Sequence, residues 1–265
     1  MSDRTGDAIE TLEYVLRSPS RVRVLETLRE EGAVSKEVLK AEVDVVRTTL
    51  QRTLTGLAER GLIRERERRY ELTSAGTLAT AGVETALERV GAAVRLRPVL
   101  EQLPGEALEF DLTRLDDATV VESTTVNPYA PVEHHAASLA DADRARLLLP
   151  TISAKPIETA RDAIESGAVF ELIVTESVAE TLRTGSPTAE AFAPVTATDA
   201  ITVSVTDDVV PFYLGIVDAA VQIGVTDDSG LPTALLESTD AALRTWAIDR
   251  FDAFDRRSTA VEFGR

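Results

Sequence analysis

Residues 34–72 read VSKEVLKAEVDVVRTTLQRTLTGLAERGLIRERERRYEL, and this stretch decides the fold of the N-terminal third. Ser35 is placed to cap a short helix in which Val38 and Leu39 turn inward, and Asp44 interrupts that helix. A second helix follows over about Val45–Arg60. Val46, Leu50, Leu54 and Leu57 are spaced four, four and three, which predicts one buried face. The opposite face carries Arg47, Thr48, Thr49, Gln51 and Arg52, and Gly61 sits where a helix-terminating glycine belongs. Leu62–Glu65 and Arg69–Leu72 then read as two strands joined by an arginine-rich turn.

Helix, tight turn, helix and hairpin in that order make a winged helix-turn-helix. Working outward, Gly6–Arg17 predicts a first helix with Ile9, Leu12, Val15 and Leu16 on one side. Ser18-Pro19-Ser20 starts another, running to Glu31, with Val22, Leu25 and Leu28 buried and Gly32 ending it. After the hairpin, Thr73-Ser74-Ala75-Gly76 opens a long helix that reaches Leu96 or beyond, with Leu78, Val83, Leu87, Val90 and Val94 near helical spacing. This helix either pairs with its copy in a homodimer or packs on its own C-terminal domain. Pro98 and Leu103-Pro104-Gly105 mark a boundary. The expected division is 1–76 for the winged domain, 77–104 for a linking or dimerisation helix and 105–265 for a C-terminal domain.

The charge is uneven. The 265 residues carry 28 Lys+Arg against 45 Asp+Glu, a net charge of −17, yet residues 46–69 hold seven arginines and only three glutamates. A basic island in an acidic chain points to nucleic acid more specifically than a basic average does. Arginine outnumbers lysine 25 to 3, a composition that fits a high-salt cytoplasm or an acidic protein from a GC-rich genome. There is no cysteine, which excludes disulfides, thiolate metal sites and cysteine nucleophiles and fits a cytoplasmic location. No run of eighteen apolar residues exists to span a membrane, and the first seven residues lack the apolar core of a signal peptide.

Beyond residue 105 the rhythm changes to alternating strands and helices. Thr119–Glu122, Arg146–Leu149 and Phe170–Val174 read as strands, separated by helices near Pro131–Ala140, Pro156–Ser166 and Ser177–Thr184. That pattern predicts βα units on a parallel sheet. Ile201–Thr206, Phe212–Val217 and Ala219–Thr226 follow as strands, with Asp207-Asp208 as a turn between the first two, so this edge is expected to be antiparallel. A terminal helix over about Ser238–Arg256 carries Leu243, Trp246, Ile248, Phe251 and Phe254. The fold class expected is α+β and α/β: a winged helix-turn-helix domain, a linking helix and an α/β domain with a mixed sheet.

The segment from Ser18-Pro19-Ser20 to the hairpin, with the Leu72-Thr73-x-x-Gly76 phrase after it, resembles archaeal and bacterial winged-helix regulators. Joined to an acidic α/β domain, it is similar to the haloarchaeal regulators with a FilR-type middle domain and to the sugar-responsive TrmB-like group. The resemblance implies a C-terminal domain that senses a ligand on a phospholipase-D-like fold without its catalysis. No His-x-Lys-x-x-x-x-Asp motif is present, so phospholipase chemistry is not expected.

A recognition helix entering the major groove would present Arg47 and Arg52 to guanine or phosphate, Gln51 to adenine, and Thr48 and Thr49 to phosphate or a thymine methyl. Lys36 at the start of the preceding helix and Arg66 and Arg68 at the hairpin tip complete the expected DNA contacts. The hairpin arginines reach DNA or pair across the strands with Glu65 and Glu67. In the C-terminal domain three strands each end in hydroxyl residues, and ligands of α/β sheets bind beyond such ends. The expected effector residues are Ser123, Thr124, Asn127, Tyr129, Thr151, Ser153, Lys155, Thr175 and Glu176. Lys155 beside Ser153 at a helix start suits an anion such as a sugar phosphate; the alternative is an ordinary N-cap next to a surface lysine.

His134-His135 point about 100° apart on a helix and have no third ligand at a recognisable spacing, so no metal is expected. No catalytic residue and no cofactor is assigned, since neither a Gly-rich phosphate loop nor a nucleophile elbow is present. The function expected is a homodimeric, sequence-specific transcription regulator on a palindromic site in double-stranded DNA, with a small-molecule effector and no membrane partner. The alternatives are a DNA-bound scaffold that senses nothing and an enzyme with a winged-helix appendage.

Overall fold

The computed structural model describes residues 2–104, 107–108, 110–196, 198 and 200–263, with side chains from Thr5 onward. It divides into two compact units, Met1–Val90 and Gly91–Arg265. The boundary expected at Gly105 lies outside the described residues.

The first unit contains α1 (Ser2–Leu16), α2 (Pro19–Glu31), β1 (Val34–Ser35), α3 (Lys36–Val43), α4 (Arg47–Glu59), β2 (Ile63–Arg66), β3 (Arg69–Leu72) and the beginning of α5 (Ser74–Leu100). The strands form an antiparallel sheet in the order β1-β3-β2. This is a winged helix-turn-helix. The two-residue strand β1 has no counterpart in the sequence reading. The Ser35 hydroxyl caps α3 by accepting the Val38 amide at 3.4 Å, and Asp44 ends α3 with φ at +46°. At the end of α4, Gly61 takes φ +68°, its amide reaches the Ala58 carbonyl at 2.9 Å, and the Leu62 amide reaches Leu57 at 3.0 Å. Those two bonds are the paired closure that a left-handed residue after a helix permits.

Several apolar residues on these periodicities stay outside the core, because helical spacing tells which residues share a face and not whether that face is covered. Val46 is the residue before the first turn of α4 and is 68% exposed, whereas Leu50, Leu54 and Leu57 are fully buried. Val38 is exposed while Leu39 is buried. Among the described residues of α1, Val15 is buried and Tyr14 packs against the core, while Ile9, Leu12 and Leu16 face out. In α2 the buried residues are Val24, Leu25, Thr27 and Leu28, and Val22 lies at the margin of the core.

The junction between hairpin and α5 explains the Leu-Thr-x-x-Gly phrase. The Thr73 hydroxyl accepts the Gly76 amide at 2.9 Å and donates to the Gly61 and Leu62 carbonyls, locking the chain as it leaves β3. Gly76 lies so close to Leu62 that a Cβ would stand 1.8 Å from its carbonyl oxygen. Backbone cannot yield there as a side chain end would. Gly76→Ala is therefore expected to cost the winged unit about 3 kcal/mol, read as faster amide exchange over residues 62–72.

Helix α5 continues through Pro98, which was expected to mark its end and instead lies inside its last turn. Val83 of α5 is buried in the first unit, and Leu96 and Val99 are buried in the second.

The second unit adds β4 (Thr119–Glu122), α6 (Ala130–Ala140), β5 (Arg144–Leu149), α7 (Ala154–Glu165), β6 (Val169–Thr175), α8 (Glu176–Arg183), α9 (Pro187–Thr196), β7 (Ile201–Thr206), β8 (Tyr213–Val217), β9 (Ala220–Thr226), β10 (Pro232–Ser238), α10 (Ala241–Asp255) and β11 (Thr259–Ala260). Its eight-stranded mixed sheet has the order β11-β7-β6-β5-β8-β9-β10-β4. Only β5, β6 and β7 are parallel neighbours. One face, with Leu148, Ile173, Leu214 and Ile223, packs with α10 and the end of α5. The other, with Leu147, Leu172, Val174 and Val203, packs with α6 to α9.

Two topological expectations are corrected. Asp207-Asp208 does not turn a hairpin, because β7 pairs with β6 and β11 while β8 pairs with β5 and β9. Strand β4 is no member of the parallel set. It pairs antiparallel with β10 at the sheet edge, four places from β5 and so roughly 19 Å away.

Candidate nucleic-acid interface and effector cavity

Burying Leu50, Leu54 and Leu57 leaves Arg47, Thr48, Gln51 and Arg52 exposed on α4, with Thr49 half-buried beside them. Lys36 donates its ammonium to the Gln51 carbonyl oxygen, and the Gln51 amide nitrogen donates to the Thr55 hydroxyl at 3.3 Å. Gln51 must release these partners before it can read a base with both ends of its amide.

The arginines of 46–69 sort cleanly. Arg60 is stacked over the Tyr14 ring, 3.6 Å from its centroid, with Arg21 at 3.8 Å, and Gly56 gives the Tyr14 ring room against α4. Arg64 pairs with Glu71 at 2.6 Å. Among the described residues, Arg47, Arg52, Arg66, Arg68 and Arg69 have no ion pair, and all five are exposed. Arg66 and Arg69 are direct cross-strand partners, and like charges so placed repel. Between them Glu67 and Arg68 form a two-residue turn with φ values of +52° and +62°. Such a turn favours Asn-Gly, so Glu-Arg holds backbone strain at the tip. Glu67→Asn with Arg68→Gly is expected to stabilise the hairpin by about 1 kcal/mol, measured by amide exchange.

The second unit holds a cavity of about 620 Å³ on the α6–α7 side of the sheet. Leu147 and Leu149 of β5, Gly224 of β9 and Leu235 of β10 line it from the sheet, and Pro131, Ile157 and Ala160 from the helices. Of the expected effector residues, Tyr129, Thr151, Ser153 and Lys155 line it. Ser153 occupies the cap position of α7, yet its hydroxyl makes no cap hydrogen bond. The other five lie elsewhere. Thr124 accepts the Asn127 amide at 2.9 Å, and the Asn127 side chain donates to Glu133, so both shape the loop after β4. The Ser123 amide bonds to the Thr233 carbonyl at the sheet edge. Thr175 caps α8, and Glu176 pairs with Arg183 at 3.0 Å. Arg144 and Arg146 share Glu171, with Arg146 also on Asp252 at 2.6 Å and over the Phe251 ring, on the α10 side of the sheet.

Sequence reasoning missed a polar network beside the cavity. The Gln222 amide nitrogen donates to the Glu237 carboxylate at 2.6 Å and to the Ser138 hydroxyl at 2.8 Å. Its carbonyl oxygen therefore faces Nδ1 of His135 at 2.8 Å and accepts from the Tyr213 hydroxyl at 3.3 Å. His134 contacts the same Glu237 at 3.2 Å. Gly215 and Gly224 clear the space for Tyr213: a Cβ on Gly215 would stand 2.0 Å from its hydroxyl. The signals in the sequence were that pair of strand glycines, a glutamine in an otherwise apolar strand and the His134-His135 pair, weighed there only as a metal site.

Burial lowers His135 to about 4, outweighing the raising effects of Gln222 and Glu237, while His134 adds to the lowering. Burial likewise pushes the Tyr213 phenol well up, with Glu237 adding to it. His135 is thus neutral in the folded chain at neutral pH and takes up its proton more readily when unfolded. Stability from this source is complete above pH 6.5 and falls as the pH drops toward 4, by about 3 kcal/mol in all. Urea unfolding followed by the single Trp246, in α10, is expected to show that decline, and His135→Gln to flatten it.

Comparison with known proteins agrees with this division. A family model described as Methanogenesis regulatory protein FilR1, middle domain, matches residues 128–257. Another, the HVO_A0261 N-terminal domain, matches residues 9–95. The first match lies within the second unit and the other lies almost wholly within the first. No curated protein matches the chain. Among solved structures, the archaeal chromatin protein TrmBL2 is 13% identical over 95% of this chain and 99% of its own, with a TM-score of 0.44. NucT from Helicobacter pylori is 10% identical over 54% of this chain and 98% of its own, also at 0.44. Nuc from Salmonella typhimurium, a phospholipase D family member, is 14% identical over 55% and 98%, again at 0.44.

Proposed function

We propose that this chain is a sequence-specific, DNA-binding transcription regulator that acts as a homodimer and whose second unit binds a small-molecule effector. The observation that carries the DNA reading is the set of five exposed arginines, without ion pairs among the described residues, on α4 and the hairpin tip, in a chain with 45 acidic residues. A chain so rich in carboxylates has every opportunity to neutralise them. Leaving Arg66 opposite Arg69 on a strained turn costs stability that an anionic partner restores. In this reading α4 enters the major groove with Arg47, Thr48, Thr49, Gln51 and Arg52, while Arg66 and Arg68 reach phosphates or the minor groove. The match of residues 128–257 to the middle domain of a methanogenesis regulatory protein supports a regulatory role.

The cavity supports sensing over a scaffold that binds nothing, since a purely structural unit has no reason to keep about 620 Å³ open. Helix α5 supplies buried side chains to both cores and is the route by which a ligand would alter half-site geometry.

Selection of DNA fragments from a genomic library by the purified full chain in molar salt, with Arg52→Ala beside it, tests the reading. A palindromic motif enriched by the parent and lost in the variant is the expected result. Recovery of fragments with no shared motif would overturn sequence-specific regulation.

A further inference from the structure

The lining of the cavity specifies its ligand more narrowly than a generic anion, and the inference that follows rests on the effector reading above. Its walls are mainly aliphatic and aromatic, which suits neither the hydroxyl-covered ring of a sugar nor a dianionic phosphate. Lys155 is the one lysine or arginine among the described lining residues and has no ion pair among the described residues. Glu133 is the one acid there, and its carboxylate already accepts from Asn127 at 2.9 Å. At the cavity wall stands His135, nine-tenths buried.

The protonation of His135 follows from its neighbours. The Glu237 carboxylate accepts only, so the group of Gln222 that faces it is the amide nitrogen, and the Gln222 oxygen faces His135. Nδ1 must then carry the hydrogen that this oxygen accepts. Nε2 is left as a bare acceptor, and it has no protein partner among the described residues. An accessible acceptor on a residue that lines the cavity asks for a donor from whatever fills it.

We propose that this cavity binds an amphipathic organic acid: an apolar body between the sheet and helices α6 and α7, a carboxylate at Lys155, and a hydroxyl or N–H group donating to Nε2 of His135. Ser153, whose hydroxyl is free of capping duty, adds a donor at the carboxylate end.

Calorimetric titration of the full chain with 10-hydroxydecanoate, decanoate, decanol and glucose 6-phosphate tests this. The hydroxy acid is expected to bind at one site about tenfold more tightly than decanoate, decanol more weakly than either, and glucose 6-phosphate not at all. Lys155→Met should weaken both acids by the same factor and leave the preference for the hydroxyl intact. Ala160→Trp, which fills the cavity from α7, should abolish binding of both. Preferential binding of glucose 6-phosphate would overturn the proposal, as would equal affinity for the two acids, or acid binding that survives Ala160→Trp. DNA binding by the same ligand-free preparation separates the two readings. DNA binding without acid binding sinks the ligand class and spares the regulator; acid binding without DNA binding does the reverse.

Discussion

Replacing Arg52 by alanine is expected to lower affinity for the specific site about 10- to 100-fold while leaving affinity for unrelated DNA nearly unchanged. The argument starts from where Arg52 lies. It sits in the second turn of α4, exposed, without an acidic partner among the described residues, and opposite Leu50, Leu54 and Leu57. A guanidinium so placed reaches base edges, where a bidentate contact to guanine is worth about 1–3 kcal/mol of discrimination. Arg68 should behave differently. At the hairpin tip it contributes charge, so Arg68→Ala should weaken specific and non-specific binding alike and reduce the salt dependence by about one counterion. Arg47, the first residue of α4, stands where the helix presents unbonded amides, and its loss should resemble that of Arg68. Titrations of each variant on specific and scrambled duplexes across a salt series resolve the two behaviours. If Arg52→Ala lost affinity equally on both duplexes, α4 would hold phosphates only and the assignment of a reading helix would fail.

What the sequence disclosed was whatever is decided within about ten residues. The cap at Ser35, the glycine at Gly61, the Thr73–Gly76 junction and the leucines of α4 are all local, and each lies where spacing and turn chemistry put it. The errors have one physical source as well. Val46 and Ile9 sit on apolar periodicities, but periodicity says which residues share a face and not whether anything covers it. In the second unit the strands were legible and their order was not. Strands β8 and β9 lie between β5 and β10, and β10 itself begins at a proline and was not anticipated. Nor was α9, which carries Pro194 inside it. Strand order decides which hydroxyls meet. Because β4 lies at the far edge, Ser123 and Thr124 could not join Thr151 and Ser153. The His135–Gln222–Tyr213 cluster joins residues 78 and 87 positions apart, beyond the reach of any local pattern.

Val90→Asp is expected to convert the protein from dimer to monomer and to lower affinity for the full palindrome on the order of 10³-fold. On α5 the buried Val83 is followed at helical spacing by Leu87, Val90 and Val94, which are exposed, Val90 at 60%. On α1 Ile9, Leu12 and Leu16 form a second stripe facing water. Neither stripe is explained by the fold of the winged unit, whose core is complete without them. A second copy covering them would account for both, and would give a palindrome two reading helices in place of one. An aspartate at Val90 puts a charge into that contact while disturbing nothing in the monomer, because the side chain it replaces is already solvated. Sedimentation of parent and variant, with titration on whole and half operators, provides the measurement. The variant should bind the half site as the parent does and gain nothing from the second half. A parent that sediments as a monomer, or a variant that remains dimeric and binds the palindrome normally, would place the dimer contact elsewhere and leave these stripes without a role in DNA recognition.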